Sequence, residues 1–199
     1  MRAAAAPAVG SSPLRALLSP VAAMALAALL AAPVARADQD APRLDALFEA
    51  LAEAEHPSDA RRIESEIWLL WLAAPDEDAA LLLDGVQGAM AEGDMARALR
   101  LADRLVELAP DYAEGWNKRA TVLYVMGDHD ASVADIRETL AREPRHFGAI
   151  SGLGQIFLKR GEPEAALAAF EQVLALSPAS AEARAAVEFA RRAMERREI

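Results

Sequence analysis

The chain repeats itself at a fixed interval of 34 residues, and this period limits the folds that it can adopt. The repeated positions are three prolines and three turn glycines: Pro110, Pro144 and Pro178, and Gly93, Gly127 and Gly161. Between them lie paired segments whose apolar residues recur every three or four positions, as on one face of a helix. Because a period of this length is typical of stacked helical hairpins, the sequence predicts an all-α solenoid.

The middle repeat, residues 113–144, shows the hairpin pattern most clearly. Trp116 and Tyr124 lie on one face of its first segment, and Ile136 lies on the apolar face of its second. Gly127 can adopt the left-handed conformation that ends a helix, and Asp128 can cap the helix that follows. The sequence therefore predicts two helices joined by a tight turn at these two residues.

These residues resemble the tetratricopeptide repeat family, whose unit is a 34-residue helix-turn-helix. The unit at 147–178 carries the family pattern in order: Leu153, Gly154, Phe157, Ala166, Phe170 and Pro178. The middle unit departs from the pattern at Arg119, where leucine is usual, and the unit at 79–110 departs at Ala89, where an aromatic residue is usual. The resemblance implies a right-handed α-solenoid with a C-terminal capping helix.

Small residues also recur in register, which suits helices that cross closely. They are Ala98, Ala120, Ala166 and Gly154. Apolar residues make up 54% of the chain but aromatic residues only 5%, which favours packed helices over a sheet. Cysteine is absent from the sequence, so a disulfide framework, a thiol nucleophile and a thiolate metal site are all excluded.

Residues 1–37 have the pattern of a secretory signal peptide. Arg2 and Arg15 precede an apolar run at 21–32, and Ala35 and Ala37 supply a small-residue cleavage site. A run of 12 residues is shorter than the roughly 20 that span a bilayer. We therefore predict cleavage after Ala37 and a periplasmic or secreted protein. The alternative is an uncleaved signal that anchors the chain in the inner membrane.

The charge of the remaining chain argues against two classes of partner. Removing residues 1–37 takes away three of the 21 basic residues and none of the 31 acidic ones, which leaves a formal charge of −13. Such a surface repels nucleic acid and anionic lipid. We therefore expect no nucleic-acid partner, and contact with a membrane only through the signal segment before cleavage.

The sequence divides the mature chain into three parts. Residues 38–75 form a divergent leading hairpin, residues 76–178 hold the three repeat units, and residues 179–199 form the capping helix. We expect Trp68 and Trp71 of the leading hairpin to pack against the first regular unit. A ligand-binding tryptophan pair is the alternative for these two residues.

Within the leading hairpin, the apolar spacing predicts helices over 43–55 and 60–73. His56 and Pro57 separate them, and Ser58 or Asp59 can cap the second helix.

No pattern in the sequence indicates catalysis. His56, His129 and His146 lie in or beside turns, and none has a second histidine or cysteine at metal-ligand spacing. Clustered carboxylates fall at helix starts, where they complement the helix dipole. We therefore expect no enzymatic activity, no metal, no cofactor and no small-molecule substrate.

The resemblance implies that the first helix of each unit lines a concave groove, with Glu114 and Gly148 among the lining positions of the second and third units. The candidate peptide-binding residues are Leu83, Gln87, Met90, Asn117, Thr121, Tyr124, Ser151, Gln155 and Leu158. Amide, hydroxyl and apolar groups of this kind suit an extended peptide or a helix. We therefore expect an exported scaffold or adaptor that binds a protein or peptide segment, in cell-envelope protein assembly. The alternative is a structural or self-associating envelope protein that acts through Trp68 and Trp71.

Overall fold

The computed structural model describes residues 41–196, and all the regular structure in this range is helical. The helices are α1 Ala41–Glu53, α2 Pro57–Trp71, α3 Glu77–Ala91, α4 Met95–Leu108, α5 Ala113–Met126, α6 His129–Arg142, α7 Phe147–Lys159, α8 Pro163–Leu176 and α9 Ala181–Glu195. The predicted signal peptide at 1–37 lies outside the described residues.

Helices α3 to α8 form three successive hairpins. The two helices of each hairpin pack on each other, α4 packs on α5, α6 packs on α7, and α9 packs on α8. A row of hairpins that each contact the next is a solenoid, so the prediction of an all-α solenoid is confirmed.

The turns between paired helices have the predicted form. Gly93, Gly127 and Gly161 have φ angles of 79°, 88° and 71°, in the left-handed region that favours glycine. The Asp128 carboxylate accepts a hydrogen bond from the Ala131 amide at 3.1 Å and so caps α6. The turn predicted at Gly127 and Asp128 is therefore confirmed.

Small residues lie where the paired helices cross, as predicted. Ala98, Ala120 and Ala166 are buried. A Cβ placed on Gly154 would lie 2.5 Å from the ring of Phe170, which is too close for any side chain. The absence of a side chain at Gly154 is therefore what lets α7 and α8 approach each other.

The leading hairpin, which consists of α1 and α2, does not lie where we expected. Helix α1 packs on α8 of the third repeat unit, and Phe48 contacts the ring of Phe147 with centroids 6.5 Å apart. The expectation that Trp68 and Trp71 pack against the first regular unit is wrong. Both rings lie against residues at the start of α7, because His146 and Phe147 offer them an aromatic surface.

The predicted cap of α2 is also wrong. The helix begins at Pro57, with His56 in the N-cap position and no side-chain cap hydrogen bond. Proline fits the first helical position because its missing N–H would have no partner there. The helix therefore starts before Ser58 and Asp59.

The last described helix, α9, covers the end of the stack. Ala183, Val187 and Ala190 face inward and are buried, while Phe189 is 48% exposed. Throughout residues 41–196, no helix combines the length and the apolar character needed to cross a bilayer.

Candidate functional site

The predicted groove positions form two rows along the first helices of the three units. One row, called here the covered half, lies towards the N-terminal ends of α5 and α7 and consists of Glu114, Asn117 and Gly148. The other row, called here the open half, lies towards the C-terminal ends and consists of Gln87, Met90, Thr121, Tyr124, Gln155 and Leu158. Ser151 is half-buried and lies between the two rows on α7.

The leading hairpin lies over the covered half. A Cβ on Gly148 would sit 2.7 Å from the ring of Trp68, so the indole lies directly on the α7 backbone. The Tyr112 hydroxyl, just before α5, donates a hydrogen bond to the Trp71 carbonyl at 2.9 Å. The ammonium of Lys118 lies 5.8 Å from the Trp68 ring centroid. Helix α2 therefore crosses the beginnings of α5 and α7.

Beneath the leading hairpin lies a buried polar cluster centred on Glu114. The side chains of Glu114 and His146 are both 0% exposed. His146 Nδ1 accepts a hydrogen bond from the Ala149 amide at 3.1 Å, so its Nε2 carries the proton and donates to Glu114 Oε2 at 3.0 Å. The Asn117 amide donates to the same oxygen at 2.8 Å, and Lys118 Nζ lies 2.9 Å from Oε1.

These contacts set the ionisation of Glu114. Burial by itself favours the neutral carboxyl, but the hydrogen bond from His146 and the nearby ammonium of Lys118 outweigh it. Together they hold the pKa of Glu114 below its usual value. The covered half therefore contains a buried carboxylate whose Oε2 accepts two hydrogen bonds and whose Oε1 lies beside the ammonium of Lys118.

Polar contacts also join the rim of the leading hairpin to the third unit and α9. Arg145 and Asp45 form an ion pair at 2.7 Å, and the Ser177 hydroxyl donates to Glu64 at 2.8 Å. The ion pair between Arg61 and Glu182 is longer, at 3.7 Å, and largely exposed. Only the first two contacts have the short geometry of a specific interaction.

A cavity of about 270 Å³ between α5, α6 and α7 lies along the open half and reaches Asn117 and Gly148 of the covered half. Its lining residues are Asn117, Ala120, Thr121, Tyr124, Val125, Ser132, Ile136, Gly148, Ala149, Gly152, Gln155 and Ile156. Thr121 and Gln155 are exposed, whereas Ile136 and Ile156 are buried. The Ser132 hydroxyl donates to the Ala120 carbonyl, so this lining group is already satisfied. The cavity therefore has an apolar floor, with an exposed polar side chain at each side.

A cation lies beside this cavity. Lys159 Nζ is 4.7 Å from the ring centroid of Tyr124, over the face of the ring. Such an arrangement holds the ammonium by cation–π attraction while leaving it hydrated. The open half thus has one positively charged side chain next to Tyr124.

The cavity collects four of the nine predicted groove residues, namely Asn117, Thr121, Tyr124 and Gln155. Leu83, Met90 and Leu158 instead pack into three apolar clusters between helices. Gln87 is exposed and Ser151 is half-buried, and neither lines the cavity.

The sequence reasoning missed Gly152, Ser132 and Ile136 as cavity residues, and it missed the pairing of Glu114 with His146. A signal for the pair was available, because the two residues lie 32 positions apart at the beginnings of successive units. Within the part of the chain that the structure describes, no group of three or more His, Cys, Asp or Glu side chains is placed to hold a metal ion.

Comparison with known proteins places this geometry in a family. A family model described as tetratricopeptide repeat matches residues 117–181. A TPR repeat-containing protein of Rhizobium etli is 40% identical over 137 residues, which is 69% of this chain and 67% of that protein.

Two solved structures have a similar fold. The TPR domain of Sgt2 from Aspergillus fumigatus aligns with a TM-score of 0.58 and 21% identity, over 63% of this chain and 84% of that one. The first TPR domain of Spaghetti (RPAP3), solved with an HSP90 peptide, aligns with a TM-score of 0.57 and 18% identity, over 61% of this chain and 97% of that one. The repeat period, the glycine turns and the Rhizobium relative together show that the chain belongs to the tetratricopeptide repeat family.

Proposed function

We propose that this protein is a scaffold that holds a segment of another polypeptide in the open half of its groove. The observation that carries the proposal is the cavity of about 270 Å³ between α5 and α7, with Thr121 and Gln155 exposed at its sides and Ile136 and Ile156 in its floor. Amide and hydroxyl groups can pair with a peptide backbone while an apolar floor accepts a side chain.

The open shape of the cavity, more than its volume, fits a longer segment better than a small molecule. Ligand pockets for small molecules and cofactors usually measure about 300–1,000 Å³ and enclose most of the ligand. A cavity of about 270 Å³ that opens to solvent suits one or two side chains of a longer segment. A protein or peptide partner is therefore the better match.

One solved relative supports the choice of a peptide. The Spaghetti (RPAP3) domain is bound to an HSP90 peptide, although its identity to this chain shows a shared fold alone. In the present chain, by contrast, Asn117 and Lys118 are engaged by the buried Glu114 carboxylate. The two side chains are thus not free to bind a terminal carboxylate.

We place this function in the cell envelope, with cleavage after Ala37. The support is the sequence of residues 1–37, in which a basic start, a short apolar run and a small-residue end follow one another. The acidic composition of the remaining chain supports a protein partner over a nucleic acid.

Filling the cavity tests the proposal. In Gly152→Leu the new side chain starts in ordinary contact, with its Cβ 3.7 Å from Ile136, and then extends into the cavity. Gly88→Leu is the matched control, because it makes the same change in α3 where no atom lies within 4 Å of the added Cβ. Each mature chain would be used to capture partners from a cell-envelope extract, with identification by mass spectrometry.

We expect a specific partner to be retained by the unchanged protein and by Gly88→Leu, and lost with Gly152→Leu. Circular dichroism should show equal helix content in all three proteins. Equal capture of the same partner by Gly152→Leu would contradict binding in the open half.

The alternative function, self-association through Trp68 and Trp71, has no comparable support. Trp71 is only 7% exposed, and Trp68 packs on Trp71, His146, Phe147 and the Gly148 backbone. Because both rings are engaged within the chain, neither forms an exposed surface for a second copy.

A further inference from the structure

We propose that the chain forms a two-fold symmetric dimer, in which the first repeat unit of one copy packs face to face on the first repeat unit of a second copy. The contact surface, called here the end face, is the side of α3 and α4 that points away from α5. The proposal does not depend on what the groove binds, because the end face uses other positions of α3 than the groove does.

The end face is not covered by a hairpin within the part of the chain that the structure describes. The second and third units each follow another unit, since α4 packs on α5 and α6 packs on α7. The leading hairpin does not take the corresponding place in front of the first unit, because α1 packs on α8 and Trp71 lies against Phe147. The linker residues Leu72 and Ala74 pack on the buried cluster around Leu83. One side of the first unit therefore faces solvent.

Helical geometry sets the direction of the end face. Val86 on α3 and Ala102 on α4 belong to the buried cluster that contains Val122 of α5, so these two residues face α5. Two positions along a helix turn the direction of a side chain by about 200°. Asp84 and Arg104 each lie two positions from one of the buried residues. They are therefore on the sides of α3 and α4 that are turned away from α5, and both are exposed.

Apolar side chains form the centre of the end face. Leu81 lies three residues before Asp84 and is 64% exposed, and Leu108 lies four residues after Arg104 and is 48% exposed. Such spacings keep each leucine on the same helix face as its charged neighbour. A Cβ on the exposed Gly88 would have no atom within 4 Å, so the backbone is bare there. The end face thus carries apolar surface whose burial against a partner is favourable.

Two stripes of opposite charge accompany these leucines. The exposed charged residues are Glu77, Asp84 and Glu92 on α3, and Arg97, Arg100 and Arg104 on α4. Glu92 and Arg97 pair with each other at 3.0 Å across the turn between the helices. Within residues 41–196, Asp84 and Arg104 have no partner of opposite charge. One acidic and one basic side chain are therefore available to a second copy.

The two stripes make the end face complementary to itself. A half-turn about an axis parallel to the helices lays α3 of one copy on α4 of the other. Because Gly85 lies opposite Leu101, at 3.1 Å from an added Cβ, Asp84 and Arg104 are at the same level of the hairpin to within about one helical turn. Each Asp84 then meets Arg104 of the other copy, and the contact occurs twice. The half-turn that lays α3 on α3 would oppose like charges, so the surface fits a second copy in one orientation.

The size of the end face sets the strength of the dimer. Helices of 15 and 14 residues are about 22 Å long and about 10 Å wide, so the pair presents roughly 450 Å² per copy. A total of roughly 900 Å² is typical of weak, reversible interfaces. We therefore expect a dissociation constant on the order of micromolar.

Sedimentation velocity on the mature chain, residues 38–199, tests the proposal. We expect the average mass to rise from that of the monomer to twice that value between about 1 and 500 μM, and to stop there because a two-fold contact closes. A monomer over the whole range would overturn the proposal. A mass that continues to grow beyond the dimer would also overturn it, because only a head-to-tail contact propagates.

Charge reversal tests the orientation. Arg104→Glu and Asp84→Arg each oppose like charges twice, so each variant alone should have a dissociation constant raised at least about tenfold. An equimolar mixture of the two should dimerise again, because one variant then offers only carboxylates and the other only guanidinium groups. Arg137→Glu is the control, since it makes the same change at an exposed position of α6. Single variants that dimerise like the unchanged protein, or a mixture that stays monomeric, would exclude the end face.

A pair of leucine variants tests the apolar centre. Leu81→Ala removes apolar surface from both halves of the interface and should raise the dissociation constant by about tenfold. Leu69→Ala is the control, because Leu69 is 69% exposed but lies on α2, away from the end face. Circular dichroism should show equal helix content in both variants. Equal dissociation constants for the two would contradict a dimer that buries Leu81.

Discussion

The indole ring of Trp71 lies face to face with the imidazole of His146, with ring centroids 4.0 Å apart and planes 11° from parallel. One residue ends α2 and the other caps α7, so the contact joins the leading hairpin to the third repeat unit. Below it, the same imidazole donates to Glu114 on α5. Three parts of the chain that are distant in sequence thus meet at one histidine.

Truncating this contact should destabilise the protein strongly. Trp71→Ala removes a buried ring and should lower the free energy of unfolding by about 3–5 kcal/mol, measured by urea denaturation. Leu69→Ala is the control on the same helix, because Leu69 is 69% exposed and its loss should change stability by less than about 0.5 kcal/mol. Similar losses in the two variants would contradict the burial of Trp71.

Glu114 should matter far more than a surface glutamate with the same spacing to a cation. Glu114→Ala leaves the His146 N–H and the Asn117 amide without their acceptor and should cost about 3 kcal/mol in urea denaturation. Glu138→Ala is the control, because Glu138 pairs with Arg142 four residues on but is half exposed. Its loss should cost about 0.5 kcal/mol. Equal costs would show that the Glu114 cluster is solvated.

The lowered pKa of Glu114 predicts a dependence of stability on pH. Because the folded-state pKa lies below the usual value of 4.5, ionised Glu114 contributes its full stabilisation above about pH 4.5. That stabilisation is lost as the pH falls through the folded-state pKa. In urea denaturation at a series of pH values, Glu114→Gln should therefore lose less stability on acidification than the unchanged protein. Parallel curves for the two proteins would refute a lowered pKa.

The glycine at the crossing of α7 and α8 should not tolerate a methyl group. In Gly154→Ala the new Cβ would overlap the buried ring of Phe170, and we expect a loss of about 1–3 kcal/mol with a lower melting temperature. Gly88→Ala makes the same change where no atom lies near, and it should stabilise α3 by up to about 1 kcal/mol. A neutral Gly154→Ala would show that the two helices can separate without cost.

Arg119 departs from the family pattern for a reason that the structure supplies. Its guanidinium donates two hydrogen bonds of 2.7 Å to the Asp135 carboxylate, which is buried. Arg119→Leu restores the usual residue but leaves that carboxylate unpaired, so it should cost about 3 kcal/mol. Arg119→Leu with Asp135→Ala should regain most of this loss, as urea denaturation of both variants would show. A double variant as unstable as the single one would rule out the carboxylate as the cause.

The parts of the fold that depend on local sequence could be predicted. Gly127 and Asp128 determine a turn through their own backbone and side-chain preferences. Gly154 recurs at the repeat position where small residues are usual, which indicates that two helices approach closely there. Because the family pattern recurs in each unit, the same local predictions apply to every hairpin of the stack. Four of the predicted groove residues accordingly meet at one cavity.

The position of the leading hairpin could not be predicted, because it depends on contacts between residues far apart in sequence. Trp68 fits on α7 only because residue 148 has no side chain, and nothing local to Trp68 reports that fact. The family resemblance places Glu114 and Asn117 at open groove positions, and it cannot predict their burial for the same reason. Their burial follows from the hairpin above them and from His146 beside them.

The span of the leading hairpin also fixes the number of repeats beneath it. Repeat proteins commonly lengthen by duplication of a unit, because each unit contacts only its neighbours. Here residues 72–76 connect the hairpin to the first unit, while Trp71 stacks on His146, directly before the first helix of the third unit. A duplicated unit between those points would carry His146 beyond the reach of Trp71. A unit inserted between α8 and α9 would likewise separate Arg61 from Glu182, so the leading hairpin matches a stack of three units and no more.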